Sequence, residues 1–118
     1  MSHRDLDVYK RSYHLAIEIH KLSLKLPRYL QYDLGDQIRR ASRSIPSNIA
    51  EGMGRAKSVK DKKNFLKDAL GSNDEMLFNL EFMRDARLLD EKQFDYHSKE
   101  YIICGKQLHN LIVSLPDN

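Results

Sequence analysis

The sequence predicts an all-α fold, an antiparallel up-down-up-down four-helix bundle built as a single domain over residues 5–115. Three observations carry this. Among 118 residues there are only 5 glycines and 3 prolines and no tryptophan, with 31% charged and 41% hydrophobic side chains, a composition that favours helices over strands and turns. Apolar residues recur at alternating spacings of three and four through four successive stretches. The breaks between those stretches are short and marked by Pro27, by Gly52 and Gly54, and by Asp90, so consecutive helices pack antiparallel. A chain of this length buries roughly two thirds of the surface its unfolded form exposes and needs no covalent staple. The single cysteine, Cys104, excludes an internal disulfide framework and suggests a reducing compartment.

The first helix is expected over residues 5–26. Leu6, Tyr9, Tyr13, Ala16 and His20 form one stripe, with Val8, Leu15, Ile19, Leu22 and Leu26 beside it. The second starts at Asp33, whose carboxylate is expected to cap the first-turn amides, points Leu34, Ile38, Ala41, Ile45 and Ile49 inward, and fades at Gly52 and Gly54. Ser58 opens the third as N-cap, with Asp61 in a capping-box-like position, and this helix is expected to reach Arg87, about 45 Å at 1.5 Å per residue. Its stripe is Leu66, Leu70, Asn73, Leu77 and Leu80, widened by Phe65, Ala69, Met76 and Met83; Phe78, Phe82 and Leu89 fall on another face. After the Asp90 cap, the fourth helix carries Phe94, His97, Tyr101, Cys104, Leu108, Leu111 and Leu115 as a heptad-like seam that Pro116 ends. The surplus stripes have two readings. Either bundles pack on one another, with Phe78 and Phe82 at the oligomer interface, or wide stripes serve a thick core.

Charge is unevenly placed. The net charge of +3 is mild, yet residues 36–67 hold nine Lys and Arg against three acidic residues, leaving the remainder net acidic. Arg55, Lys57, Lys60, Lys62 and Lys63 surround the expected start of the third helix, where free amides and the helix dipole favour an anion. Arg39 and Arg43, four apart, add a second basic stripe on the second helix. These seven are the candidate contacts to the phosphate backbone of RNA or DNA, and a ring of subunits would multiply them. The other reading is a solvated helix start whose lysines pair with acidic neighbours.

Di-iron chemistry, the obvious enzymatic use of such a bundle, calls for two Glu-x-x-His motifs. None of Glu18, Glu51, Glu75, Glu81, Glu91 or Glu100 has a histidine three residues on. No metal, cofactor or catalytic residue is expected, and the chain reads as non-enzymatic. His97 reads as a core histidine and Cys104 as a small buried hydrophobe with no base to activate it. No apolar run approaches the roughly 20 residues of a membrane span, and residues 1–10 are charged where a signal peptide is apolar, so no membrane partner and a cytoplasmic location are expected.

The most unusual stretch is residues 37–55, QIRRASRSIPSNIAEGMGR, with Pro46 inside a helical pattern. An interior proline removes the amide that would bond the Ser42 carbonyl and costs about 3 kcal/mol unless its surroundings compensate. Ser42, Ser44, Ser47 and Asn48 are placed to satisfy the freed carbonyls or shape a kink. Arg40 and Glu51, three turns apart, are expected to pair with other helices, and Asn73 to meet Asn48 or Arg40 in a buried polar layer.

The run SIPSNIAEGMGR, preceded by QIRRA and followed by NFL, ALGS and Glu75, resembles the bacterial four-helix-bundle family of the ribosomal-RNA intervening-sequence type. The opening LDVYKRSYHLAIEIHKL is similar to the family's first helix. The resemblance implies an antiparallel bundle, often assembled as a ring-like homopentamer, without established catalysis. The positions that match the family motif are Gln37, Arg40, Ser44, Pro46, Asn48, Glu51, Gly52 and Arg55, mostly with structural roles. A more distant similarity, to accessory proteins of retroelement reverse transcriptases, implies nucleic-acid binding by basic pentamers. The expected function is a self-assembling bundle that contacts structured RNA or DNA. The alternatives are a scaffold that recruits a protein through Phe78, Phe82, Asp85 and Asp90, or an accessory protein of a reverse transcriptase.

Overall fold

A computed structural model describes residues 2–117. Four helices, α1 (Asp7–Ser23), α2 (Leu34–Gly54), α3 (Val59–Asp85) and α4 (Glu91–Ser114), form a bundle of 45 × 24 × 21 Å. Each helix packs on the next, and α4 closes more sparsely on α1. The core runs the full length, from Leu26, Leu34, Met83 and Leu89 at one end to Val8, Ile49 and Leu66 at the other. The second-helix stripe is buried as expected, from Leu34 through Ile38, Ala41, Ile45 and Ile49. Of the fourth-helix seam, His97, Tyr101, Cys104 and Leu108 are buried, while Phe94, Leu111 and Leu115 are half-buried against the core.

Several details differ from the sequence reading, each for a local reason. Ser2 caps a 3₁₀ turn over His3–Asp5, so α1 begins at Asp7 rather than residue 5. At its other end the Ser23 hydroxyl donates to the His20 carbonyl at 2.6 Å, and the chain leaves the helix before Pro27. The residues that enter the core are Val8, Leu15, Ala16 and Ile19 with Ser12 and Ser23; Tyr13 and His20 of the first stripe lie outside. Asp33 stands at the α2 N-cap, but its carboxylate caps no backbone amide and instead accepts from the Gln37 side chain at 3.5 Å. Leu89 does not join Phe78 and Phe82; it is buried in the core at the α3–α4 turn. On α3 the fully buried line is Leu66, Ala69, Asn73, Met76, Leu80 and Met83, leaving Leu70 and Leu77 half-buried.

The third helix stops at Asp85, two residues short of Arg87. The Arg87 amide bonds to the Arg84 carbonyl at 3.0 Å and the Leu88 amide to the Met83 carbonyl at 2.7 Å. This double bond pattern is a Schellman cap, which needs a left-handed residue where Arg87 stands, at φ 62°. Glycine takes that conformation without steric penalty, whereas a side chain is strained by about 1 kcal/mol. Arg87→Gly is therefore expected to raise stability by roughly 0.5–1 kcal/mol, read as a higher urea midpoint with unchanged slope.

Polar groups inside the bundle are few and placed. Asn73 meets neither Asn48 nor Arg40: its amide donates to the Tyr101 carbonyl of α4 at 2.9 Å. Gly105 makes room for it, since a Cβ there would stand 3.1 Å from Asn73 Nδ2. Between α1 and α4, Arg11 joins Glu100 at 2.7 Å, Tyr96 donates to Glu18 at 3.0 Å and Gln107 to Asp7 at 2.7 Å. His97 is buried beside this seam; burial pushes its pKa below the ordinary value, with Glu18 and Glu100 pulling the other way. Its neutral ring thus contributes stability that is complete above about pH 6.5 and lost as pH falls through the lowered value. The melting temperature should drop between about pH 7 and pH 5, and drop less in His97→Phe. Equal drops would assign the acid sensitivity elsewhere.

Candidate nucleic-acid interface

Several of the candidate cations lie at one end of the bundle. That end gathers the start of α1, the α2–α3 turn and the residues after α4. The 3₁₀ turn packs beside the α2 C-terminus, where a Cβ on Gly54 would lie 3.8 Å from His3 Nδ1, and this brings Arg4 to the same end as Arg55 and Lys57. Lys60, Lys63 and Lys67, on successive turns of α3, line a groove of about 200 Å³ closed by Pro116 and Asp117. Lys62, half-buried, stands beside them on the same first turns.

Arg55, Lys57, Lys60 and Lys62 have no carboxylate partner among the described residues. Lys63, its side chain 19% exposed, reaches the fully exposed Asp117 at 3.5 Å, a long pair with one solvated partner worth about 0–1 kcal/mol. The α3 N-terminus itself is already supplied with an anion. Ser58 Oγ accepts from the Asp61 amide at 3.0 Å, and the Asp61 carboxylate accepts from the Lys57 amide at 3.1 Å. Long cationic side chains, not helix amides, are what this end presents.

The second-helix arginines are not part of that surface. Arg39 is half-buried and fully engaged: it donates to Ser23 Oγ at 2.8 Å, the Gln31 carbonyl at 2.6 Å and Asp36 at 2.9 Å. It ties the α1–α2 connection to α2. Arg43 is exposed, but its Nε donates to the Arg39 carbonyl at 3.2 Å and it lines a groove with Tyr13, Ile17 and Pro46, about 18 Å along the helix from Arg55 at 1.5 Å per residue.

The motif residues of α2 mostly hold it against α3. Asn48 donates to the carbonyl and hydroxyl of Ser44, both at 2.9 Å, and Ser72 of α3 donates to Ser44 Oγ at 2.9 Å. Helix α2 runs unbroken through Pro46, which is buried. No side chain among the described residues donates to the Ser42 carbonyl; the ladder braces the carbonyls of Arg39 and Ser44 on either side. Gln37, Arg40, Ser44, Ser72 and Glu75 line one shallow polar groove of about 290 Å³. Glu51, half-buried, and Arg40 form no ion pair among the described residues. Gly52 is a point of contact: a Cβ there would meet Phe65 Cβ at 3.0 Å and the Lys62 carbonyl at 3.3 Å.

Phe78 and Phe82 project outward from α3, 66% and 52% exposed. Among the described residues no three His, Cys, Asp or Glu side chains gather as a metal site requires, and no helix is long and apolar enough to cross a membrane. Cys104 is fully buried and its thiol is pushed up to about 12 by burial.

Sequence reasoning missed Arg4, whose placement is purely tertiary, and Lys67, whose seven-residue spacing from Lys60 signals a shared face. It also passed over Tyr29 and Tyr32, three apart after Pro27 and outside every apolar stripe.

No curated protein matches the chain. Its structure is similar to the 1.70 Å crystal structure of a protein of unknown function from the S23 ribosomal protein family of Bacteroides thetaiotaomicron. The TM-score is 0.82 and the identity 26%, over 89% of this chain and 94% of that one. The family model described as 23S rRNA-intervening sequence protein matches residues 4–110, nearly the whole bundle and its motif, so this chain belongs to the 23S rRNA-intervening sequence protein family.

Proposed function

We propose that this chain is a non-enzymatic, self-assembling bundle that contacts the phosphate backbone of structured RNA or DNA through its basic end. The observation that carries this reading is the gathering of Arg55, Lys57, Lys60 and Lys62, none paired with a carboxylate, beside Lys63 and its weak surface partner. Cations held together without partners repel one another, and a polyanion relieves that repulsion while releasing its own counterions. Fluorescence anisotropy against a labelled RNA stem-loop and a matched DNA duplex tests it. Between roughly 50 and 200 mM salt, affinity should fall on the order of 10³-fold. Absence of binding at the lower salt would overturn the reading.

Self-assembly is supported by two complementary surfaces. Phe78 and Phe82 stand out from α3 flanked by Glu75, Glu81 and Asp85, while the groove between α1 and α2, about 320 Å³, is lined by Tyr9, Tyr13, Ile17 and Pro46 with Arg43 and His20 at its rim. Acid-rimmed aromatics on one copy fit a base-rimmed apolar groove on the next. Such a contact is head-to-tail, and it closes into a ring when the rotation from one copy to the next divides a full turn, otherwise building a filament. Light scattering should give a mass several times 13.8 kDa for the wild type and a smaller species for Phe82→Lys. A wild-type monomer would leave the basic end to act singly and point the exposed aromatics to a protein partner.

A further inference from the structure

At the end opposite the basic cluster, the α1–α2 connection displays two rings. Tyr29 and Tyr32 are 80% and 88% exposed, more than any other large hydrophobic side chain among the described residues. Neither ring stacks on another aromatic side chain. Their backbone is a tight run of three-residue hydrogen bonds: Leu30 to Pro27 at 2.9 Å, Gln31 to Arg28 at 3.2 Å and Asp33 to Leu30 at 3.3 Å. The 3₁₀ turn itself covers Arg28–Leu30 and carries Tyr29, and Tyr32 stands on the turn that follows.

The run is also rigid. Gln31 donates through its side-chain amide to the carbonyls of Ser23 at 2.9 Å and Leu26 at 2.8 Å, the Arg39 guanidinium grips Ser23, Gln31 and Asp36, and Leu30 packs against the core. The rings are thus fixed at their roots while their faces stay free. Lys21, Lys25 and Arg28 are exposed on the run that leads to them, and the exposed Asp33 that follows Tyr32 accepts from the Gln37 side chain at 3.5 Å.

We propose that Tyr29 and Tyr32 form a stacking platform for unpaired bases of a single-stranded nucleic acid, with Lys25 and Arg28 taking the flanking phosphates. Aromatic faces beside cations are what single strands stack on, whereas duplex bases are already stacked and unavailable. The proposal rests on the nucleic-acid reading above and adds a second contact, specific to unpaired nucleotides. Arg39 then serves as a positioning residue for the platform.

The test uses single-stranded RNA and DNA of about twelve nucleotides carrying a central 2-aminopurine, beside a blunt duplex of the same sequence. The wild type should quench the 2-aminopurine on binding. Tyr29→Ala with Tyr32→Ala should weaken single-strand binding on the order of 10²-fold and abolish the quench, leaving duplex binding and melting temperature unchanged. The Tyr→Phe pair should retain both, because stacking needs the ring and not the hydroxyl. The salt dependence of the duplex arm separates the two readings. Salt-dependent duplex binding with an inert alanine pair would overturn the platform and keep the basic end. Tyrosine-dependent single-strand binding without duplex binding would do the reverse, and a wild type that binds no strand overturns both. RNA and DNA arms of equal strength would show that the platform reads bases without reading the sugar.

Discussion

Replacing Arg55, Lys57, Lys60, Lys62 and Lys63 together by Glu is expected to lower affinity for a structured RNA by on the order of 10³ near physiological salt and to flatten what remains of its salt dependence. Each lost phosphate contact removes about 0.9 from the slope of log affinity against log salt, so five contacts remove roughly four to five. The fold should survive the change, because acidic side chains in the first turn of α3 suit the dipole there and these side chains hold none of the core. A circular dichroism melt of the variant checks that point. Affinity and slope equal to the wild type's would remove this end from the binding surface.

Substituting Gly52 by Val is expected to destabilise the bundle by about 2–3 kcal/mol, the usual scale of overpacking a close contact. The first added atom would stand 3.0 Å from Phe65 Cβ and 3.3 Å from the Lys62 carbonyl, and neither is the end of a flexible side chain. Relief comes only by parting α2 from α3, which would also strain the Ser44–Ser72 bond two turns away. Gly71 gives the internal comparison: it sits exposed in mid-α3 with nothing within 4 Å of a Cβ, so Gly71→Ala should gain up to about 1 kcal/mol of helix propensity. Chemical denaturation of both variants reads the two effects as midpoints on either side of the wild type's. Equal midpoints for Gly52→Val and the wild type would mean that the helices do not approach so closely at this position.

The helices and most of the core were legible because periodicity is a local signal. Ile38, Ile45 and Ile49 could face only one way, and Asp90 caps the fourth helix as expected, with a capping box to Gln93 that the sequence reading did not name. Where two stripes lay side by side on α1, the sequence did not decide between them. The choice of Val8, Leu15 and Ile19 over Tyr13 follows from where α2 and α4 stand. Helix ends moved by two or three residues because 3₁₀ turns and the Schellman cap depend on single bonds that a hydrophobic pattern does not encode. Charge was the least legible. Arg39 and Lys60 look alike as letters, yet one guanidinium is enclosed by Ser23, Gln31 and Asp36 and the other side chain ends in solvent.

The polar seam between α1 and α4 bears on how the molecule opens. The α2–α3 contact is the most extensive in the bundle, with Ile45, Ile49, Leu66 and Ala69 buried in the core beside the Ser44–Ser72 bond. By contrast, α4 meets α1 more sparsely, and through Arg11 with Glu100, Tyr96 with Glu18 and Gln107 with Asp7, groups that water can replace one by one. Amide hydrogens of the two outer helices should therefore exchange through a partial opening that leaves the α2–α3 hairpin protected. The α1–α4 seam is thus the edge along which the bundle should open first, which hydrogen exchange of the α1 and α4 amides would show.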